Sequence, residues 1–336
     1  MAETKSRVYL WDNVKALLIF LVVMGHFVTQ FTGSSELMRS MFIIIYYFHM
    51  PLFVFVSGMF AKSSWKDGVL KVNKIISYLI LYVGLKFIIF LEGVAFGKDP
   101  TFRLFYESGI PWYMLAMAVF ICMTYVLRDV NPKYLIPFTI LLACIAGYDK
   151  GVGDIFAISR IIVFYPIFLA GFYTDSVKLA EYTRKPALRI GAAVLLVVFV
   201  ILAFTERDAL YCVRSVVTGR SPFATFPVPE LGFLFRLGHY LVGGIISFAV
   251  ICVLPNKENK LSYIGAATLP IYFLHRPILY VFMDSGLGRT MVTSLGEWGI
   301  PAFLALSVVL TFVLSVKPLS VPFNKLMKCK YTKILK

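Results

Sequence analysis

Ten apolar stretches, set apart by short polar connections, leave this chain few ways to fold. They run over roughly 14–32, 41–60, 75–95, 111–127, 134–148, 156–173, 187–204, 233–254, 261–282 and 298–316. No water reaches backbone groups in hydrocarbon, so each stretch must satisfy its own N–H and C=O groups, as a helix does. Composition agrees. The chain is 59% hydrophobic and 15% charged, where soluble domains are about 45–50% apolar and about 25% charged. The predicted fold is all-α: a polytopic membrane protein of about ten transmembrane helices, one domain over residues 1–336, ending in a basic tail at 317–336.

Charge sets the expected orientation. Of 33 Lys and Arg, 21 fall in segments that share a side with the N-terminus and 8 on the other side. The positive-inside rule then predicts both termini cytoplasmic. The formal net charge of +15 lies in short loops between apolar spans, which suits topology signals and anionic lipid rather than nucleic acid. The five cysteines, Cys122, Cys144, Cys212, Cys252 and Cys329, form no CxxC pair, so no disulfide framework and no metal site is expected. The first stretch lacks a small-x-small cleavage site and is read as a retained span.

Within that span, Lys15 and His26 are eleven residues apart. Eleven steps of about 100° make roughly three turns, so both side chains share a face, about 16 Å apart along the axis. Lys15 then sits near a membrane surface and His26 near mid-bilayer, where an ionisable group is costly and marks a functional site. The other three histidines, His49, His239 and His275, also fall inside predicted spans.

Further polar groups mark the same depth. His49 precedes Pro51, whose missing N–H loosens the turn before it. Ser57-Gly58 suits close helix packing. Arg160 opens the sixth span, and Arg236 and His239 share a face at i, i+3. Trp112-Tyr113 reads as an interfacial belt or a sugar-stacking pair. The ninth span holds Pro270, the pair His275-Arg276, and Pro277. Helix interruptions at 51, 166, 270 and 277 together predict a water-accessible cavity. The proline-containing segment 205–232 reads as a substrate lid or as a connector.

Five segments carry a family likeness. They are Asp12-Asn13-Val14-Lys15 through Gly25-His26, Phe48-His49-Met50-Pro51-Leu52-Phe53 through Ser57-Gly58, Trp112-Tyr113, Arg160 through Phe164 and Pro166, and Thr268-Leu269-Pro270-Ile271-Tyr272 through His275. In these the chain resembles the acyltransferase-3 family of integral membrane acyltransferases, most of all the branch described as fucose 4-O-acetylases. The family's first-helix motif is an arginine, ten residues, then a histidine. Here Lys15 replaces the arginine, keeping its charge without the planar fork. The resemblance implies acetyl-CoA as donor and a sugar hydroxyl of an envelope glycan or exopolysaccharide, fucose among them, as acceptor. It also implies residence in the bacterial inner membrane.

Elementary chemistry assigns expected roles. Acyl transfer to a hydroxyl needs a base and donors for the oxyanion. A buried neutral imidazole suits the first, so His26 is the expected base. Asp12, three residues before Lys15, is expected to orient it, and Arg160 to hold the oxyanion or an acceptor group. Lys15, Lys62, Lys66, Lys71 and Lys74 are expected to meet the phosphates of coenzyme A. His49, Trp112, Tyr113, Arg236, His239 and His275 are the candidate acceptor-binding groups. A covalent acetyl-histidine on His26 is a second route to the same product. The rival reading is a secondary transporter using the buried His and Arg groups for coupling.

Overall fold

A computed structural model describes residues 8–66, 68–226 and 228–331. Lys5, Arg7, Lys333 and Lys336, basic residues behind the expected orientation, lie outside the described residues. So does the side chain of Lys66.

The chain is helical almost throughout. In order come α1 (Tyr9–Val28), α2 (Glu36–Tyr46), α3 (His49–Ala61), a short hairpin of β1 (Trp65–Lys66) and β2 (Val69–Leu70), α4 (Val72–Ala95), α5 (Trp112–Val126) and α6 (Pro132–Ala146). Then follow α7 (Ile158–Tyr173), α8 (Ser176–Tyr182), α9 (Pro186–Thr205), α10 (Arg207–Cys212), α11 (Arg214–Thr218), α12 (Gly232–Val253), α13 (Ser262–Ala266), α14 (Thr268–Asp284), α15 (Leu287–Ser294), α16 (Gly299–Leu314) and α17 (Lys317–Lys328). Each of the ten apolar stretches falls on a helix or helix pair. Among the described residues, six helical stretches are long and apolar enough to cross a membrane, and α7 with α8 make a seventh if a pair bent by 87° is one span. The other expected spans are shorter, with 15 residues in α5, 15 in α6 and 17 in α14.

Burial sorts these helices. α1 is packed on several sides, against α3, α13, α14 and α16. α9 is apolar all round yet buries only Ala192 and Ala203, the signature of a helix facing lipid.

The two ends of the bundle carry separate sets of contacts. At one end Asn13 donates to the carbonyls of Pro255 and Lys257, at 2.8 and 3.0 Å, and Trp11 donates to Ser176. There Arg184 also donates to the carbonyls of Ile251 and Leu254, and Ser77 to Leu326. At the other end Arg39 meets Asp208, Arg207 meets Glu36, the Glu107 amide donates to Asp154, and Tyr148 donates to Glu230.

Two of the expected proline interruptions are breaks and two are not. The α2–α3 break falls at Tyr47-Phe48, and Pro51 then sits in the first turn of α3, where a missing N–H costs nothing. Pro270 is placed likewise, after the α13–α14 break at Ala267. Pro166 and Pro277, in contrast, lie within continuous helices. The expectation of interruptions there is corrected, since a membrane helix carries a proline where its neighbours shield the freed carbonyl.

Ser57-Gly58 does pack. A Cβ on Gly58 would strike the Phe168 carbonyl of α7, and one on Gly171 would strike the Phe55 carbonyl of α3. The two glycines therefore let the backbones of α3 and α7 touch. Gly171→Ala is expected to destabilise the protein by about 1–3 kcal/mol through overpacking. A melting temperature in detergent equal to that of the wild type would refute this close crossing.

Candidate active site

Two cavities penetrate the bundle and share Tyr272 in their walls. The larger, about 660 Å³, is lined by His26, His49, Trp112, Arg160 and Arg276. The smaller, about 230 Å³, is lined by Lys15, Lys74, Ser57 and Tyr113. The helical register read from the sequence thus holds in a specific form, with Lys15 opening on one cavity and His26 on the other.

The smaller cavity is framed by α1, α3, α4, α5 and α14. Lys15 pairs with Asp12 at 2.9 Å across i, i+3, the expected orientation. Asp12 is thereby fixed at the Lys15 end, fourteen residues and about 21 Å of helix from His26. It positions Lys15 and cannot act on the histidine directly. Lys74 reaches the Ser63 hydroxyl at 3.3 Å, and Lys71 donates to the Ser63 carbonyl at 2.8 Å. Lys62 lies over the Phe172 ring at 5.6 Å. Of the lysines described here, only Lys15 and Lys74 face the cavity. Tyr113 shares a 2.5 Å hydrogen bond with Ser57, and its ring meets Tyr272 at 5.3 Å.

The larger cavity gathers residues from most of the chain. His26 comes from α1, and its ring lies 5.3 Å from that of His275. Nη1 of Arg276 lies 3.3 Å from Nδ1 of His26. Arginine has no lone pair to give, so Nδ1 is the acceptor and Nε2 carries the hydrogen. His49 and His275 are arranged the other way. Their Nδ1 atoms donate to the carbonyls of Ile45 and Ile271, at 2.9 and 2.8 Å, which leaves each Nε2 with a lone pair. Nε2 of His275 is buried without a partner among the described residues, and His275 does not line the cavity. Tyr46 packs edge-on to His49 at 4.7 Å.

Arg160 stands at the third position of α7, beside Phe156 and Ala157, whose φ values of 51° and 53° place them in the left-handed region. Its Nη1 donates to the Gly109 carbonyl at 3.0 Å and its Nη2 to the Glu107 carbonyl at 2.9 Å. Its guanidinium lies 5.2 Å from the Trp112 ring, which stacks on Phe164. Glu107 accepts from Lys86 at 3.0 Å and from the Gly109 amide at 2.7 Å. Tyr82 and Tyr272 hold the carbonyls of Leu104 and Ile110. Arg160 is therefore first a positioning residue, one of four side chains that fix loop 104–110 as a wall of the cavity.

Segment 206–231 is built from α10, α11 and short turns, and it covers the larger cavity with Tyr211, Arg214, Thr218 and Arg220. This favours the lid over the connector. Arg220 grips Asp154 with bonds of 3.0 and 2.7 Å, and these raise its pKa above the usual arginine value.

Some candidates fall elsewhere. Arg236 is fully buried, donates to the Val216 carbonyl at 2.6 Å and anchors the lid. His239 lines a separate crevice of about 390 Å³ between α3, α6, α7 and α12. Neither touches the larger cavity. Trp112 faces that cavity while its neighbour Tyr113 faces the other. Sequence reasoning passed over Arg276, Tyr272, Arg220 and Asp154 as site residues. Arg276 had a signal, a cation beside a histidine in a span. Among the described residues no group of His, Cys, Asp and Glu could hold a metal ion.

Residues 8–317 match the family model described as an acyltransferase domain. No curated protein and no solved structure matches the chain.

Proposed function

The chain belongs to the acyltransferase-3 family, and from that premise we propose that it moves an acetyl group from cytoplasmic acetyl-CoA to a hydroxyl of an envelope or exopolysaccharide sugar. The observation that carries this reading is the pair of cavities meeting at Tyr272. A donor and an acceptor approaching from opposite sides of a membrane need such an arrangement. The family does not favour the secondary transporter.

In this reading the Lys15 end is cytoplasmic and both termini lie on that side. Lys15 and Lys74 meet the donor's phosphates, and the pantetheine arm runs inward past Tyr113 and Ser57 towards Tyr272. The helix rise of about 16 Å from Lys15 to His26 is comparable to that arm. The acceptor enters under the lid and stacks on Trp112. His26 takes the hydroxyl proton as the sugar oxygen attacks the thioester carbonyl. The tetrahedral oxyanion collapses, the C–S bond breaks, and the departing thiolate recovers the proton from the imidazolium. His49 is the second candidate base, because its Nε2 lone pair is already free.

The test is release of coenzyme A from labelled acetyl-CoA by membranes carrying the protein, with and without fucose-containing glycan. Acceptor-dependent release with label on the glycan is the expected result. Solute uptake without donor consumption would hand the protein to the transporter reading. Lys15→Gln is expected to raise KM for acetyl-CoA by about tenfold, the order of one charge-assisted contact, and to change kcat less. An unchanged KM would take Lys15 out of the donor site.

A further inference from the structure

Four arginines line the larger cavity, Arg160, Arg214, Arg220 and Arg276, and among the described residues no carboxylate does. Two of the four already have a counter-charge, since Asp154 lies 2.7 Å from Arg220 and 3.5 Å from Arg160. Arg214 and Arg276 have no carboxylate within ion-pairing distance among the described residues. Arg214 reaches only the Tyr211 carbonyl, at 3.4 Å, with its guanidinium 4.8 Å from that ring. Arg276 lies 4.3 Å from the Tyr280 ring, its Nη1 on His26 and its Nε buried without a partner. Arg276 is only partly exposed, and an uncompensated guanidinium with a buried, unpartnered Nε is costly unless an anion completes it, while Arg214, exposed on the lid, is free to turn toward the same anion. The planar fork of arginine matches a phosphate or carboxylate, and the hydroxyl of Ser215 adds a donor on the lid side of the cavity.

The contact between Arg276 and His26 gives this surplus a role. A general base needs a lone pair, and Nδ1, the only one His26 has in this tautomer, is covered by Arg276. Resting on the acyltransferase reading, we propose that the acceptor is an anionic glycan whose phosphate or carboxylate binds Arg214 and Arg276, and that this binding draws Arg276 off Nδ1 and uncovers the base. Nδ1 then takes the hydroxyl proton while Nε2 keeps its own, and the proton leaves with the thiolate as above. Before the acceptor arrives the base is covered, and water in the cavity is not activated against the thioester.

The test uses the full-length protein in nanodiscs of neutral lipid, so that no lipid charge competes. Binding of labelled fucose, fucose 1-phosphate and glucuronate is measured without donor, and coenzyme A release is measured separately with each. One or both anions should bind about tenfold or more tighter than fucose, as one or two charge-assisted contacts allow. Tight binding of fucose 1-phosphate alone assigns the site to phosphate, and of glucuronate alone to carboxylate. Arg214→Gln should remove most of the preference, and Arg214→Lys, which keeps the charge, should restore part of it. Arg276→Gln should lose the preference and also release coenzyme A without acceptor, an effect that mere loss of fold would not give. Equal binding of fucose and both anions, or a preference that survives both glutamine variants, overturns the proposal. Charge-selective binding with no coenzyme A release from any acceptor would instead sink the acyltransferase reading while leaving the oxyanion site. Release with neutral glycan and no charge preference would do the reverse.

Discussion

His26→Ala is expected to lower acetyl transfer by about 10²–10⁴-fold, the usual contribution of a positioned general base. The loss should fall on kcat, because in the proposed reading the donor's phosphates meet Lys15 and Lys74 at the other cavity. His239→Ala is the matched control, being another buried histidine, in a crevice apart from the site, and its rate should stay near that of the wild type. His49→Ala decides between the two candidate bases. If it alone abolishes transfer while His26→Ala keeps it, the free Nε2 of His49 does the proton chemistry and His26 serves to hold Arg276. Labelled acetyl retained on the wild-type protein without acceptor, and missing from His26→Ala, would replace proton abstraction by the covalent route.

The placement of His26 was legible because helical register is a local property. Eleven residues bring Lys15 and His26 to one face whatever surrounds the helix. The close approach at Ser57-Gly58 was legible for a similar reason, since a missing Cβ has few other uses inside an apolar span. What a span's other faces meet is not local. Trp112 and Tyr113 are neighbours in sequence, yet about 100° of helix rotation sends them to different cavities. His239 and His49 looked alike in sequence and open on different spaces. The ion network is further from view. Asp154, Arg160 and Arg220 meet only because loops 104–110 and 147–157 and the lid converge at one end of the bundle. The span count shows the same limit. Apolar stretches locate helices well, but α5, α6 and α14 are too short to settle on length alone which helices cross the bilayer.

Arg160 carries the second large effect, and it lies on stability. Replacing it with methionine keeps much of the side chain's bulk and removes every donor. The carbonyls of Glu107 and Gly109 then lose a charged partner within a buried wall. Each hydrogen bond to a charged group contributes about 1.5–3 kcal/mol, so a loss of about 3–5 kcal/mol is expected, within the range found on breaking a buried charged contact. The melting temperature in detergent should fall well below that of the wild type. Arg160→Lys should recover only part of it, because one ammonium cannot span two carbonyls as the guanidinium fork does. Transfer should fall together with stability, since the loop carries Ser108, Gly109 and Ile110 into the cavity wall. The opposite pattern, an unchanged melting temperature with transfer abolished, would mean that loop 104–110 stands without Arg160. Lys86, Tyr82 and Tyr272 would then suffice to hold it, and the guanidinium would be released to meet the acceptor or the oxyanion, the role that its place in the sequence first suggested.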